Sequence, residues 1–251
     1  MNLLGFSFSL GAVAAPLLMS LAAENPSFPN VLYILAIAIA IVLVVLLALR
    51  FPAATHSGTP LRSLLMVLKH PLVWLFGALL FFESGNENCM FVWAGKVVGD
   101  VLHLGVERAD LALVGLSVAL GVGRLLAVLS LPWLGSRGLL LLSAALTMAG
   151  AMVALRGGTY DGMMTGFAVI GLGMAAIFPT TLGLAGDRFP HQTGTVFGAV
   201  MALALVGGSA GPLVGGWAAS SSTASVLVVP LTAGAGIAIL ALIVSARKLW
   251  H

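Results

Sequence analysis

The stretch PLVWLFGALLFFESGNENCMFVWAGK (residues 71–96) decides how the whole chain is read. No charged side chain occurs from Pro71 to Leu80, yet Glu83, Asn86, Glu87 and Asn88 then follow within six positions. In a soluble helix such residues would form one wetted face. In a membrane helix each one is costly and needs a partner, water or a proton. Composition decides between the two. Of 251 residues, 60% are hydrophobic and 8% charged, and the mean hydropathy is +1.13. A soluble domain carries about 25% charged residues. The chain is therefore read as an all-α integral membrane protein, and its 31 glycines suit closely packed transmembrane helices.

A spanning helix needs about 20 apolar residues. Eight spans are expected, near 3–22, 31–49, 71–95, 109–131, 138–156, 162–186, 194–219 and 225–246. The intervals between them are short, except for Arg50–His70, which separates two helices from the following six. Lys and Arg favour the cytoplasmic side. With both termini cytoplasmic, Arg50, Arg62, Lys69, Arg124, Arg137, Arg188, Arg247 and Lys248 lie at or near the inner face. Lys96, Arg108 and Arg156 then lie outside. The first span could be mistaken for a signal peptide, but no positive segment precedes it.

An internal repeat favours reading that first span as a transmembrane helix. GAVAAPLLMSLAA (Gly11–Ala23) aligns without gaps on GGSAGPLVGGWAA (Gly207–Ala219), with Pro16 on Pro212 and Arg50 beside Arg247 in the same register. Spans one and two thus read as a copy of spans seven and eight, as in transporters built from repeated units.

Several classes are excluded. The formal charge of +3 and pI near 9.5 come from dispersed residues, so no nucleic acid is expected as a partner. Cys89 stands alone, which rules out an internal disulfide. His56, His70, His103, His191 and His251 are scattered. There is no metal cluster, nucleophile triad or phosphate loop, so neither an enzyme nor a cofactor is expected.

At 1.5 Å per residue, Glu83 lies about 18 Å along a helix begun at Pro71, past the middle of a core about 30 Å thick. Glu83, Asn86 and Glu87 fall at i, i+3 and i+4, and Met90 and Ala94 continue the stripe. Gly85 and the asparagines suggest a locally unwound helix facing a wet cavity. On the functional reading, Glu83 exchanges a proton, while Asn86, Glu87 and Met90 meet a solute. On the competing reading, Glu83 makes a packing ion pair with Arg124, and Glu87 is exposed near the outer surface. Pro179 frees a carbonyl near Ala175, and Thr180 and Thr181 either satisfy it or face the solute. Trp93 is read as an interfacial anchor rather than a ring that stacks on a solute.

The whole pattern resembles the major facilitator superfamily, whose members have two six-helix halves and a long cytoplasmic loop between them. GGSAGPLVGG (Gly207–Gly216) resembles its Gly-Pro packing motif. GRLLAVLSLPWLGSRGLLLLS (Gly123–Ser143) resembles its motif between helices eight and nine, with Pro132 and Trp133 where the family has Asp-Arg. IFPTTLGLAGDRFPHQTGTVFGAV (Ile177–Val200) resembles sugar–proton symporters of the fucose permease type.

The resemblance implies three parts. Residues 1–50 are a helix pair from an N-terminal half, 51–70 the cytoplasmic central loop, and 71–251 a six-helix C-terminal half. Family helices one to four have no counterpart, which implies an N-terminally truncated chain. The expected function is secondary transport of a small polar solute, a sugar in the first instance, coupled to protons across a bacterial inner membrane. A missing N-terminal half is the expected protein partner. The alternatives are a non-transporting fragment of a truncated or mis-started gene, or an efflux transporter of another small molecule.

Overall fold

Because a bilayer offers backbone groups no partners, a chain this apolar meets its hydrogen-bonding needs within helices. The computed structural model describes residues 28–49 and 61–246, and no strand occurs among them. The first span, the first copy of the repeat, Arg50 and both termini lie outside the described residues.

Helix α1 (Phe28–Ala48) has Tyr33, Ile34, Ile37 and Leu43 all more than half exposed, as suits a helix bathed in lipid. Inside the segment expected to be a loop, Leu61–Lys69 forms a short helix, α2. Its end is pinned to the next helix by Trp74 Nε1, which donates to the Leu68 carbonyl at 2.7 Å.

Helix α3 (Pro71–Leu102) starts where sequence predicts. Pro71 occupies the first turn, and His70 Nδ1 accepts from the Leu72 amide. It runs 32 residues, about 48 Å, and stops at His103 in the left-handed conformation (φ 53°). Two expectations need correction here. The helix extends past residue 95, and it stays wound through Glu83–Met90 instead of opening at Gly85. The reason lies in helix α7 (Thr193–Ala219). A Cβ on Gly85 would stand 3.0 Å from the Gly207 carbonyl, one on Gly207 would strike the Phe81 backbone, and one on Gly211 would strike that of Gly85. Gly85 thus permits backbone contact between two intact helices, the usual role of small residues in membrane bundles.

Helix α4 (Val106–Arg156) joins two expected spans. Pro132 lies within it, and Gly135, at φ 62° and ψ 170°, bends it. Glycine takes that positive φ without steric cost. The arms on either side, 106–134 and 136–156, are each long enough to cross a bilayer. Helix α5 (Tyr160–Met174) is capped by Thr159, whose Oγ1 accepts from the Gly162 amide. It packs tightly on the second arm of α4, where a Cβ on Gly150 would stand 2.7 Å from the Gly166 carbonyl.

The span expected at 162–186 is one membrane-length stretch, Tyr160–Arg188, with a turn inside it. Residues 175 and 176 form a turn before helix α6 (Ile177–Arg188). Pro179 has no N–H to offer the Ala175 carbonyl, and helical bonding resumes with the Thr180 amide on the Ala176 carbonyl at 3.1 Å. A 3₁₀ turn (Thr223–Leu227) leads from α7 to helix α8 (Val228–Ala246).

Among the described residues, four stretches are long and apolar enough to cross a membrane: Val106–Arg156, Tyr160–Arg188, Thr193–Ala219 and Thr223–Val244. The protein is a multi-pass integral membrane protein. Helix α3 adds a further membrane-length helix and carries the buried carboxylates.

Candidate functional site

Helix α3 presents Glu83 and Glu87 one turn apart, and Arg124 reaches them from the first arm of α4. Arg124 Nη2 lies 3.8 Å from Glu87 Oε1, and these side chains are 6% and 15% exposed. Glu83 is fully buried and within electrostatic reach of both groups. Neither of its carboxylate oxygens has a hydrogen-bond partner among the described residues. At 3.8 Å the Arg124–Glu87 contact is an ion pair rather than a short hydrogen bond. The cluster holds two carboxylates and one guanidinium, so it is one negative charge in excess when all three are ionised.

Backbone packing positions Arg124. A Cβ on its neighbour Gly123 would stand 2.6 Å from Ala175 Cβ and 3.1 Å from the Leu172 carbonyl. The first arm of α4 therefore crosses α5 at the break in the span. The interruption created by Pro179 lies against the residue next to Arg124, a relation that no spacing in the sequence reveals.

The other expected site residues are placed as follows. Asn86 is fully buried but lies on the opposite edge of the α3 stripe from Glu87, facing α7 and α8. On a helical wheel the two are about 100° apart. Met90 is fully buried in an apolar cluster with Ala94, Leu116 and Leu120. Thr180 is half-buried. Thr181 is fully buried, and its hydroxyl has no hydrogen-bond partner among the described residues. Asn88 is exposed and donates to the Ser84 carbonyl at 2.9 Å. Trp93 Nε1 donates to the Pro212 carbonyl at 3.2 Å, tying α3 to α7.

Ser117 was not anticipated. It is fully buried on α4, seven residues before Arg124 and so on the same face, and its hydroxyl has no hydrogen-bond partner among the described residues. The available signal was a serine at i−7 from an intramembrane arginine.

Residues 1–212 match the family model of the Major Facilitator Superfamily, and the chain belongs to that superfamily. Two solved structures share its fold. A Major Facilitator Superfamily transporter, FucP, in the outward conformation is 19% identical with a TM-score of 0.68, over 86% of this chain and 54% of that one. A point variant of the E. coli fucose:proton symporter FucP is 17% identical with a TM-score of 0.66, over 89% of this chain and 55% of that one. The chain thus spans about half the length of the FucP chains it matches. No curated protein matches it.

Proposed function

We propose that the chain forms the proton- and solute-handling part of a secondary transporter for a small polar solute of the sugar class. The observation that carries this reading is the buried triad of Glu83, Glu87 and Arg124, with one cation for two carboxylates. Arg124 offsets the charge of Glu87. A charged Glu83 is then left without a counter-ion of its own at a depth where uncompensated charge is costly. Binding a proton removes that cost. Solute hydroxyls that compete for Glu87 or Arg124 alter the balance at Glu83, and this links solute binding to proton binding.

Two further observations support the reading. The fold is shared with FucP, described as a fucose:proton symporter. The distribution of Lys and Arg favours cytoplasmic termini in a bacterial inner membrane. Residues 1–50 as a helix pair, 51–70 as the inner connection and 71–251 as a six-helix unit remain our division of the chain. A missing N-terminal half completes the transporter in this reading.

The test is solute uptake into vesicles containing the chain, with and without an imposed pH gradient, scanning L-fucose and related sugars. Accumulation that follows the gradient supports the reading. Solute movement that ignores it removes proton coupling, and no movement of any sugar favours a non-transporting chain.

A further inference from the structure

The nine residues LRSLLMVLK that precede α3 wind into the short helix α2. At about 100° per residue, Leu64 and Val67 fall on one side of it, and Arg62, Leu65, Met66 and Lys69 on the other. Val67 is 2% exposed and joins the buried cluster of Leu72, Val196 and Val200, and α2 packs on α3 and α7. The other side is open. Leu65 is 51% and Met66 54% exposed, and Lys69 is exposed beside them. His70, in extended backbone (φ −81°, ψ 121°), turns the chain between the two helices, so α2 does not continue the axis of α3.

Helix α3 fixes the level of this face. Its exposed ion pair, Lys96 with Asp100, lies near its far end, so the part of α3 that overhangs the hydrocarbon core lies there. The start of α3 therefore lies near a surface of the core. Trp74, in the first turn, is 53% exposed, and its indole N–H donates to the Leu68 carbonyl, which sets the ring against the end of α2. A half-exposed indole at the start of a membrane helix marks the interfacial zone. Leu65 stands one turn before Leu68, about 60° around the helix, so Leu65, Met66 and Trp74 line one apolar margin at that level. Cations flank it. Helix α2 carries no acid in its first turn and Lys69 in its last, and Arg62 shares the side of Lys69 by register. The His70–Phe189 ring contact, 5.0 Å between centroids, brings the exposed Arg188 to the same corner, with Asp187 beside it as an opposing charge. Water alone would leave Leu65 and Met66 unburied, and acyl chains alone would leave Lys69 without a counter-charge. A phosphate above an acyl chain satisfies both, because a lysine stem lies along apolar surface while its ammonium reaches the phosphate layer.

We propose that the open face of α2 binds an anionic phospholipid of the adjacent leaflet. The lipid phosphate meets Lys69, and an acyl chain lies along Leu65 and Met66. The bound lipid holds α2 in the interface beside the start of α3. This site is separate from the buried triad and does not depend on which solute the chain moves.

The experiment uses the full chain in nanodiscs of equimolar phosphatidylglycerol and phosphatidylcholine with the same acyl chains. Photoreactive benzoylphenylalanine replaces Met66, and the adducts are identified by mass spectrometry. Phosphatidylglycerol adducts should exceed phosphatidylcholine adducts about fivefold or more, the preference one basic residue gives at an anionic surface. Lys69→Gln should cut that ratio about fivefold, and Lys69→Arg should keep it. Both positions are exposed, so the fold is not at risk. The same label at Leu205, 73% exposed in the middle of α7, should take the two lipids about equally. Equal labelling at residue 66, or a ratio unchanged by Lys69→Gln, would overturn the proposal. So would the absence of lipid adducts at residue 66, as for a helix in water, or adducts to a second copy of the chain instead of lipid. Loss of the preference in excess inorganic phosphate at constant ionic strength would also overturn it, because the site would then take a free anion.

Discussion

Arg124 on the first arm of α4 pairs with Glu87 on α3, at 3.8 Å, rather than with Glu83 one turn earlier. The two carboxylates are thereby made unequal. One shares a guanidinium, and the other is fully buried with no hydrogen bond to either oxygen among the described residues.

The first prediction tests this inequality. Glu83→Gln keeps the shape of the side chain but cannot carry charge. It is expected to abolish uphill, proton-driven uptake, lowering accumulation more than tenfold (about 1.4 kcal/mol or more of coupling) while sparing solute exchange. Glu87→Gln should weaken solute binding more than coupling. Uptake and counterflow in vesicles separate the two effects. Wild-type accumulation by Glu83→Gln would return Glu83 to a purely structural role.

The ion pair itself supplies the second prediction. Removing one member of a buried pair leaves an uncompensated charge, at a cost of about 3–5 kcal/mol. Arg124→Gln should therefore lower thermal stability in detergent markedly. The double variant Arg124→Gln, Glu87→Gln should recover much of the loss. If the double variant is no more stable than Arg124→Gln alone, the pairing does not matter to stability.

A third prediction contrasts two glycines of α7. At Gly211 a Cβ would strike the Gly85 backbone, whereas at Gly198 nothing lies within 4 Å. Gly211→Ala should push α7 off α3 and sharply reduce the yield of folded protein. Gly198→Ala should be neutral or stabilising by up to about 1 kcal/mol. Size-exclusion profiles and melting curves of the two variants provide the comparison, and equal behaviour would contradict the backbone contact.

The fourth prediction concerns the polar end of α3. Thr223 Oγ1 donates to Asp100 Oδ2 at 2.8 Å, and Lys96 Nζ lies 3.2 Å from the same oxygen. The Thr223 hydrogen bond and then Lys96 hold the Asp100 carboxyl below its ordinary range. A carboxyl lowered on folding adds stability above its unfolded value, near about pH 3.9, and loses it as pH falls through the folded value. Thr223→Val should therefore melt below wild type at neutral pH. The gap should close in strong acid, below both values. A gap that does not change with pH would assign the effect to packing instead.

Sequence alone determined that this chain lives in a bilayer, because 8% charge over 251 residues leaves too few polar groups for a soluble surface. It also determined where α3 begins, since Pro71 favours a first turn, and it singled out Glu83 and Glu87, because a carboxylate in an apolar run is costly wherever it points. The weak point in span 162–186 was legible for the same kind of reason: proline removes a donor whatever its surroundings.

Tertiary structure decided what depended on neighbours. Gly85 carries the same local signal whether a helix opens or is approached, and only α7 lying on it shows that the backbone stays wound. Asn86 and Glu87 are adjacent in sequence, yet the step of about 100° between successive helical residues turns them toward different helices. The choice of Glu87 over Glu83 as the partner of Arg124 depends on how the first arm of α4 lies along α3, where Gly95 and Gly99 meet Ala109, a contact that local sequence does not reveal.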